Sequence, residues 1–292
     1  MRFLAALFLL MGTPAEAAPL KVVASFSILG DIVHQIAGDH AEVTVLVGPN
    51  GDAHTFDPSP ADAAKLAGAA LVVSNGLGLD GWLDRLAASA GYAGPRVVAS
   101  QGITPRTMAE GENPKPVTDP HAWQDARNGI LYALNITAAL VKADPANAAD
   151  YEQHMQAYGM TLALLDKTIR EKIAAIPKDK RRVITSHDAF GYFGAAYGVT
   201  FLAPEGLSTD QEASAGSVAR LIDQIRSENI KAIFIENMTD PRLVQTIAAE
   251  TGVELGGALY SDALSPPEGP AACYVCMFEN NVPKLVAAMA KN

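Results

Sequence analysis

The longest regular pattern of apolar and polar positions lies in residues 144–176. Apolar side chains recur there at Tyr151, Met155, Tyr158, Leu162, Leu165, Ile169, Ile173 and Ile176. Steps of three and four put them on one stripe of a helix. Asp144 suits the cap, Pro145 suits a first helical position that needs no N–H, and Pro177 ends the run. At about 1.5 Å per residue such a helix reaches roughly 48 Å, more than the width of a small domain. Gly159 is a candidate bend. On both sides of this stretch, short apolar runs alternate with helical spacing. Strands are predicted at 21–25, 42–47, 70–74 and 96–99, with helices at 26–37, 59–69, 82–90 and 128–141. Beyond the long helix, strands are predicted at 182–185, 199–202, 232–236 and 254–259, with helices at 189–197, 218–228, 241–251 and 282–290. Residues 101–118 and 204–215 read as loops. The alternation predicts an α/β protein of two lobes, each a mostly parallel sheet with flanking helices, joined by one long spanning helix. The expected division is a leader over 1–18, an N-terminal lobe over 19–143, a linking helix over 144–177 and a C-terminal lobe over 178–292.

The leader is read from Arg2, the apolar run from Phe3 to Met11, and the small residues at Ala15 and Ala17. That order is a secretory signal, cut near Ala17 or Ala18. The apolar run is too short to span a bilayer, and no cysteine follows it to take a lipid. The mature chain is therefore expected in a bacterial periplasm. Net charge is −10 and no basic run occurs, which argues against nucleic acid as a partner. The only cysteines, Cys273 and Cys276, form a C-x-x-C pair. They suit a small disulfide or two free thiols; catalytic redox chemistry would need the first thiol at a helix start, which AACYVCMFENN does not announce.

Candidate chemistry lies at four positions. His54 sits in GDAHTFDPSP, His121 in DPHAWQD, His187 directly after RVITS, and Asp262 after LYS. His54, His187 and Asp262 fall at or beyond the C-terminal ends of predicted strands, where open α/β sheets gather ligands. Three imidazoles and one carboxylate make a full four-coordinate set for Zn²⁺. Ca²⁺ and Mg²⁺ prefer oxygen alone, and Mn²⁺ is a possible but weaker tenant of nitrogen sites. Because imidazole binds metal only when neutral, affinity is expected to collapse below about pH 6. Asp125 and Asp188 are candidates to orient the imidazoles or else solvated loop carboxylates, Glu236 suits the same orienting role but reads first as a salt-bridge partner inside its lobe, and Trp123, Phe190 and Tyr260 read as walls of the site or as lobe core. His34, His40 and His154 read as ordinary surface or interface residues. A zinc hydrolase with Asp262 as base is a rival reading, though no H-E-x-x-H motif supports it.

The stretches GDAHTFDPSPAD, NGLGLDGWL, DPHAWQD, TSHDAFGYFGAAYG and LYSDALS resemble, in order and over nearly the whole mature chain, the cluster A-I metal-binding proteins of ABC importers. The resemblance implies two α/β lobes linked by a long helix, with no enzymatic activity. It implies His54, His121, His187 and Asp262 as metal ligands, and Zn²⁺ as transported cargo with Mn²⁺ as the alternative. A histidine at the third position resembles the zinc branch; the manganese branch usually has glutamate there. The implied partner is a membrane permease, with a periplasmic metal donor as a further candidate and the protein itself a monomer. The loop 104–118 departs from many zinc members in having no histidine.

Overall fold

The computed structural model describes residues 18–109, 116–210 and 213–292. The expected leader lies outside the described residues except for Ala18, as does the middle of the histidine-free loop. The chain opens with β1 (Leu20–Phe26), α1 (Ser27–Ala37), β2 (Ala41–Val47), α2 (Pro60–Ala67), β3 (Leu71–Ser74), α3 (Trp82–Ser89) and β4 (Arg96–Val98). Its four strands run parallel in the order β2-β1-β3-β4. The start of α2 follows its sequence signal: Ser59 accepts the N–H of Asp62, whose carboxylate returns to the Ser59 N–H, with Pro60 at the first position.

A short antiparallel hairpin, β5 (Thr107–Ala109) with β6 (Pro116–Thr118), lies where the sequence suggested only a loop. Then come α4 (Ala126–Ala143) and the long α5 (Ala148–Ala174). The second sheet contains β7 (Arg182–Ile184), β8 (Thr200–Leu202), β9 (Ala232–Glu236) and β10 (Glu254–Leu259), parallel in the order β10-β9-β7-β8. Around it are α6 (Gly191–Tyr197), α7 (Ala215–Glu228), α8 (Arg242–Thr251) and α9 (Tyr274–Met289). Counted by its own strands, each sheet has the order 2-1-3-4. In each, the chain winds one way from the first strand and then back past it, leaving a crevice between the first and third strands at their carboxyl ends.

The spine is shorter than its sequence pattern. Residues 145–147 form a 3-10 turn, and Asp144 spends its carboxylate on Asn147 Nδ2 and Tyr151 Oη rather than on a helical cap. The α5 helix has 27 residues, about 40 Å, and runs unbroken through Gly159. Its buried residues are the predicted stripe from Tyr151 to Ile173. The first half meets α1, where His154 Nδ1 bonds Ile36 O; the second meets α6, where Arg170 donates to Ala196 O. One apolar core runs from β1 and α1 through α5 to Phe193, Phe234 and α9. A smaller cluster under α7 and α8 covers the other face of the second sheet.

The last helix begins at Tyr274 rather than 282, with Cys273 at its cap. Cys273 and Cys276 are joined in a disulfide at that helix start, the position AACYVCMFENN did not announce. Among the described residues no helix is long and apolar enough to cross a membrane.

Candidate metal centre

Each of the four singled-out residues follows a strand or the turn beside one, and each is held by its own neighbours. His54 lies on the loop after β2. Asp52 Oδ1 accepts the His54 N–H at 2.8 Å, and Asp52 Oδ2 accepts Thr209 Oγ1 from the other lobe at 2.6 Å. Asn50, at φ 56°, donates its N–H to Leu264 O and accepts Asn237 Nδ2. The left-handed backbone at Asn50 is the kind that asparagine tolerates.

His121 is set by Asp119, whose Oδ1 accepts its N–H at 2.9 Å and lies 2.8 Å from its Nδ1. A proton on Nδ1 leaves the Nε2 lone pair facing the cleft. The NGLGLD stretch acts as a brace behind it. The Asp80 carboxylate accepts the N–H groups of Asn75 and Gly76, and Asn75 Nδ2 donates to Pro120 O, next to His121.

His187 follows β7 at the crevice of the second sheet. Glu236, the last residue of β9, accepts the N–H groups of Ser186 and His187 on Oε1, both at 2.9 Å. Its Oε2 lies 2.8 Å from His187 Nδ1. Asp262 follows β10, anchored through Ser261 O, which accepts Trp123 Nε1 and Gln124 Nε2.

The four side chains converge. One nitrogen or oxygen from each of His54, His121, His187 and Asp262 lies within 4.8 Å of the others. His54 Nε2 is 3.2 Å from both His121 Nε2 and Asp262 Oδ2. Asp262 Oδ2 is 3.0 Å from His187 Nε2, and Oδ1 is 3.6 Å from His121 Nε2. Tetrahedral zinc bonds of about 2.0–2.2 Å place ligand atoms roughly 3.3–3.6 Å apart, so little movement separates this arrangement from coordination. The side chains of His121, His187 and Asp262 are fully buried, while that of His54 keeps 5% exposure. The His187 nitrogens are taken up by Glu236 Oε2 and Asp262 Oδ2, which leaves Asp262 Oδ1 buried without a hydrogen bond. Buried lone pairs left so are costly unless a cation takes them. His54 also lines the mouth of the cleft with Leu77, Pro105, Pro120 and Leu207, a space of about 540 Å³.

The charged groups of the site are strongly coupled. Burial alone would lower the His121 pKa, but Asp262 and Asp119 pull it up to about 9. Burial is likewise overcome at His187, where Glu236 and Asp262 hold the pKa well above the usual imidazole range. Burial would raise Asp262, yet the two imidazoles hold it well below the usual carboxylate range. Without metal, protons on His121 and His187 offset part of the charge of these carboxylates.

The orienting carboxylates are Asp119 and Glu236. Asp125 instead caps α4 by accepting the Arg127 N–H, and pairs with the Arg127 guanidinium. Asp188, raised to about 6 by burial, has no hydrogen bond to an imidazole. Trp123 does wall the site, its ring 5.3 Å from that of His121. Phe190 stacks on Phe201 in the core, and Tyr260 packs against that core. His40 pairs with Asp150 and His154 with a backbone carbonyl, away from the cluster.

Residues 22–288 match the family model described as zinc-uptake complex component A, periplasmic, abbreviated ZnuA. The chain belongs to this ZnuA family. Members are metal-binding components of ABC importers and not enzymes, which sets aside the hydrolase reading. The iron-binding protein YfeA of Yersinia pestis is 34% identical over 92% of this chain and 86% of its own. The manganese-binding lipoprotein MntA of Halalkalibacterium halodurans is 31% identical over 96% of this chain and 92% of its own. Among solved structures, the periplasmic zinc-binding protein TroA from Treponema pallidum superposes with a TM-score of 0.87 at 30% identity. That likeness covers 93% of this chain and 99% of TroA. As a ZnuA-family protein the chain is an extracytoplasmic substrate-binding component, and its partner is a membrane permease.

Proposed function

We propose that this ZnuA-family protein captures Zn²⁺ between its lobes through His54, His121, His187 and Asp262 and delivers it to the permease. The observation that carries the reading is the convergence of three imidazole nitrogens and one carboxylate within 4.8 Å. Three nitrogens with one oxygen suit zinc above manganese, because affinity for nitrogen donors rises along the divalent series toward zinc. On this reading residues 19–143 and 178–292 supply two ligands each, and 144–177 links them. The protein acts as a monomer after removal of a leader over 1–18, and a periplasmic metal donor is a candidate source of its cargo.

A second reading, manganese as cargo of the same site, is supported by the naming of the MntA relative as manganese-binding. Metal analysis of protein purified without added metal, followed by Zn²⁺/Mn²⁺ competition, separates the two. Zinc should be retained and should displace manganese; retention of manganese against equimolar zinc would reverse the assignment. His187→Ala should lose most of the zinc affinity, and unchanged binding by that variant would remove His187 from the ligand set.

A further inference from the structure

The C-x-x-C pair takes no part in the proposed cargo site, yet it is placed where thiol chemistry is favoured. Cys273 caps α9, a helix of 16 residues, and its Sγ accepts the Cys276 N–H at 3.0 Å. Both cysteines are half-buried. The bridged residues are three apart in sequence, so the loop is short and removes less entropy from the unfolded chain than a long one would. A thiolate at Cys273 would be stabilised by the Cys276 N–H, which its sulfur already accepts, and by the positive end of α9.

The adjacent residue reaches the cargo site. Tyr274 is fully buried, with its N–H on Asp31 Oδ2 at 2.8 Å and its hydroxyl donating to Trp123 O. The Trp123 ring packs on His121, and its indole N–H holds Ser261 O beside Asp262. One buried side chain therefore joins the first turn of α9 to two of the four converging residues.

We infer that Cys273–Cys276 is a thiol–disulfide exchange site for a dithiol protein, and that its reduction loosens the cargo site through Tyr274. Only the second half rests on the cargo reading above. A partner thiolate attacks Cys276 Sγ, the S–S bond breaks, and Cys273 leaves as a thiolate held by the α9 N-terminus. The partner's second thiolate then attacks the partner's own sulfur in the mixed disulfide and releases Cys276. Two electrons pass to the protein, two protons follow onto its cysteines, and the partner ends as a disulfide. Once both cysteines are protonated and Cys276 is untied, the helix start keeps only a weak thiol cap, so the first turn of α9 loosens and the Tyr274–Trp123 hydrogen bond weakens with it.

The test has two parts. Folded, oxidised protein is mixed with reduced thioredoxin as the dithiol probe, and thiols are counted by maleimide mass shift. Both cysteines should be labelled without denaturant; a bridge that opens only after unfolding overturns the exchange site. Zinc release to a chelating dye is then timed for the oxidised protein, the phosphine-reduced protein and Cys273→Ser/Cys276→Ser. Release should be about five- to ten-fold faster in the last two, the size of one lost hydrogen bond. The serine variant excludes zinc held by the freed thiols. Equal rates overturn the coupling, and a redox difference undiminished in Tyr274→Phe overturns its route. A protein holding no zinc in either form overturns the cargo reading and the coupling together, while the thiol count still decides the exchange site.

Discussion

His187 Nδ1 lies 2.8 Å from Glu236 Oε2, and both side chains are completely buried. The pair stands where β7 and β9 part, at the crevice of the second sheet. Glu236 also accepts the N–H groups of Ser186 and His187, so one carboxylate sets both the imidazole and the backbone that carries it. Asp119 does the same for His121 with a single oxygen. His54 differs: its carboxylate partner, Asp52, holds its backbone N–H, and its side chain alone keeps contact with the mouth of the cleft.

Glu236→Gln and Asp119→Asn keep the shape of each partner and remove its charge. Each should weaken zinc binding about 10- to 100-fold, the usual effect of losing a carboxylate behind a metal-binding imidazole. Competition against a zinc-sensitive dye measures this. Affinity unchanged in both variants would mean the imidazoles need no such support.

Metal uptake should release protons well above the pH 6 expected from ordinary imidazoles. His121 in the metal-free protein titrates at about 9, so near neutral pH a cation must displace its proton. Calorimetry at pH 7.5 in buffers of different ionisation enthalpy should show release of at least about one proton per metal. A binding heat independent of buffer would contradict it.

The same shift gives the metal-free protein a pH-dependent stability. A pKa raised from 6.5 to about 9 contributes stability that is fully present below 6.5 and lost as pH rises through 9. Asp262, held low, contributes above its ordinary pKa of 3.8 and loses that only as pH falls through its depressed value. The melting temperature without metal should therefore fall between pH 6.5 and 9. A rise across that range would show that the imidazole protons do not stabilise the metal-free fold.

Thr209 Oγ1 donates to Asp52 Oδ2 across the cleft at 2.6 Å, tying the His54 loop to the opposite lobe. Thr209→Val removes the bond with little change in size. Zinc release should quicken about five-fold, with the capture rate nearly unchanged. Stopped-flow release and capture rates distinguish this from a slower capture, which would place Thr209 on the entry route instead.

Leu162 is fully buried on α5, in the core that runs into both sheets. Leu162→Ala should cost about 2–5 kcal/mol, and both lobes should unfold in one transition at a lower temperature. Two separate transitions in calorimetry would show that the lobes do not share a cooperative core.

Where periodicity is local, the chain was legible. The stripe from Tyr151 to Ile173 faces the core as its spacing requires, and the Ser59–Asp62 capping box forms as written. The β5–β6 hairpin was hidden because its strands have three residues each and β6 begins with a proline, too little for a period of two to register. The start of α9 was hidden for another reason. Asn280, Asn281 and Pro283 are poor helix formers, but Asn281 is buried and its side-chain amide accepts the Tyr260 N–H and donates to Tyr260 O. Contacts with a distant strand end and burial of the helix in the core outweigh a local cost of a few tenths of a kcal/mol for each asparagine and about 3 kcal/mol for the proline.

The sequence by itself determined the two strand–helix alternations, the spine between them, and the identity of His54, His121, His187 and Asp262 as residues worth watching. It could do so because side-chain period and family motifs are written in consecutive residues. Only the tertiary structure decided that these four share one point, that Asp119 and Glu236 rather than Asp125 and Asp188 stand behind the imidazoles, and that Tyr274 ties the disulfide to the site. Those relations join residues up to 208 positions apart, as His54 and Asp262 are. Such pairings follow from how the two sheets meet, which no local spacing encodes.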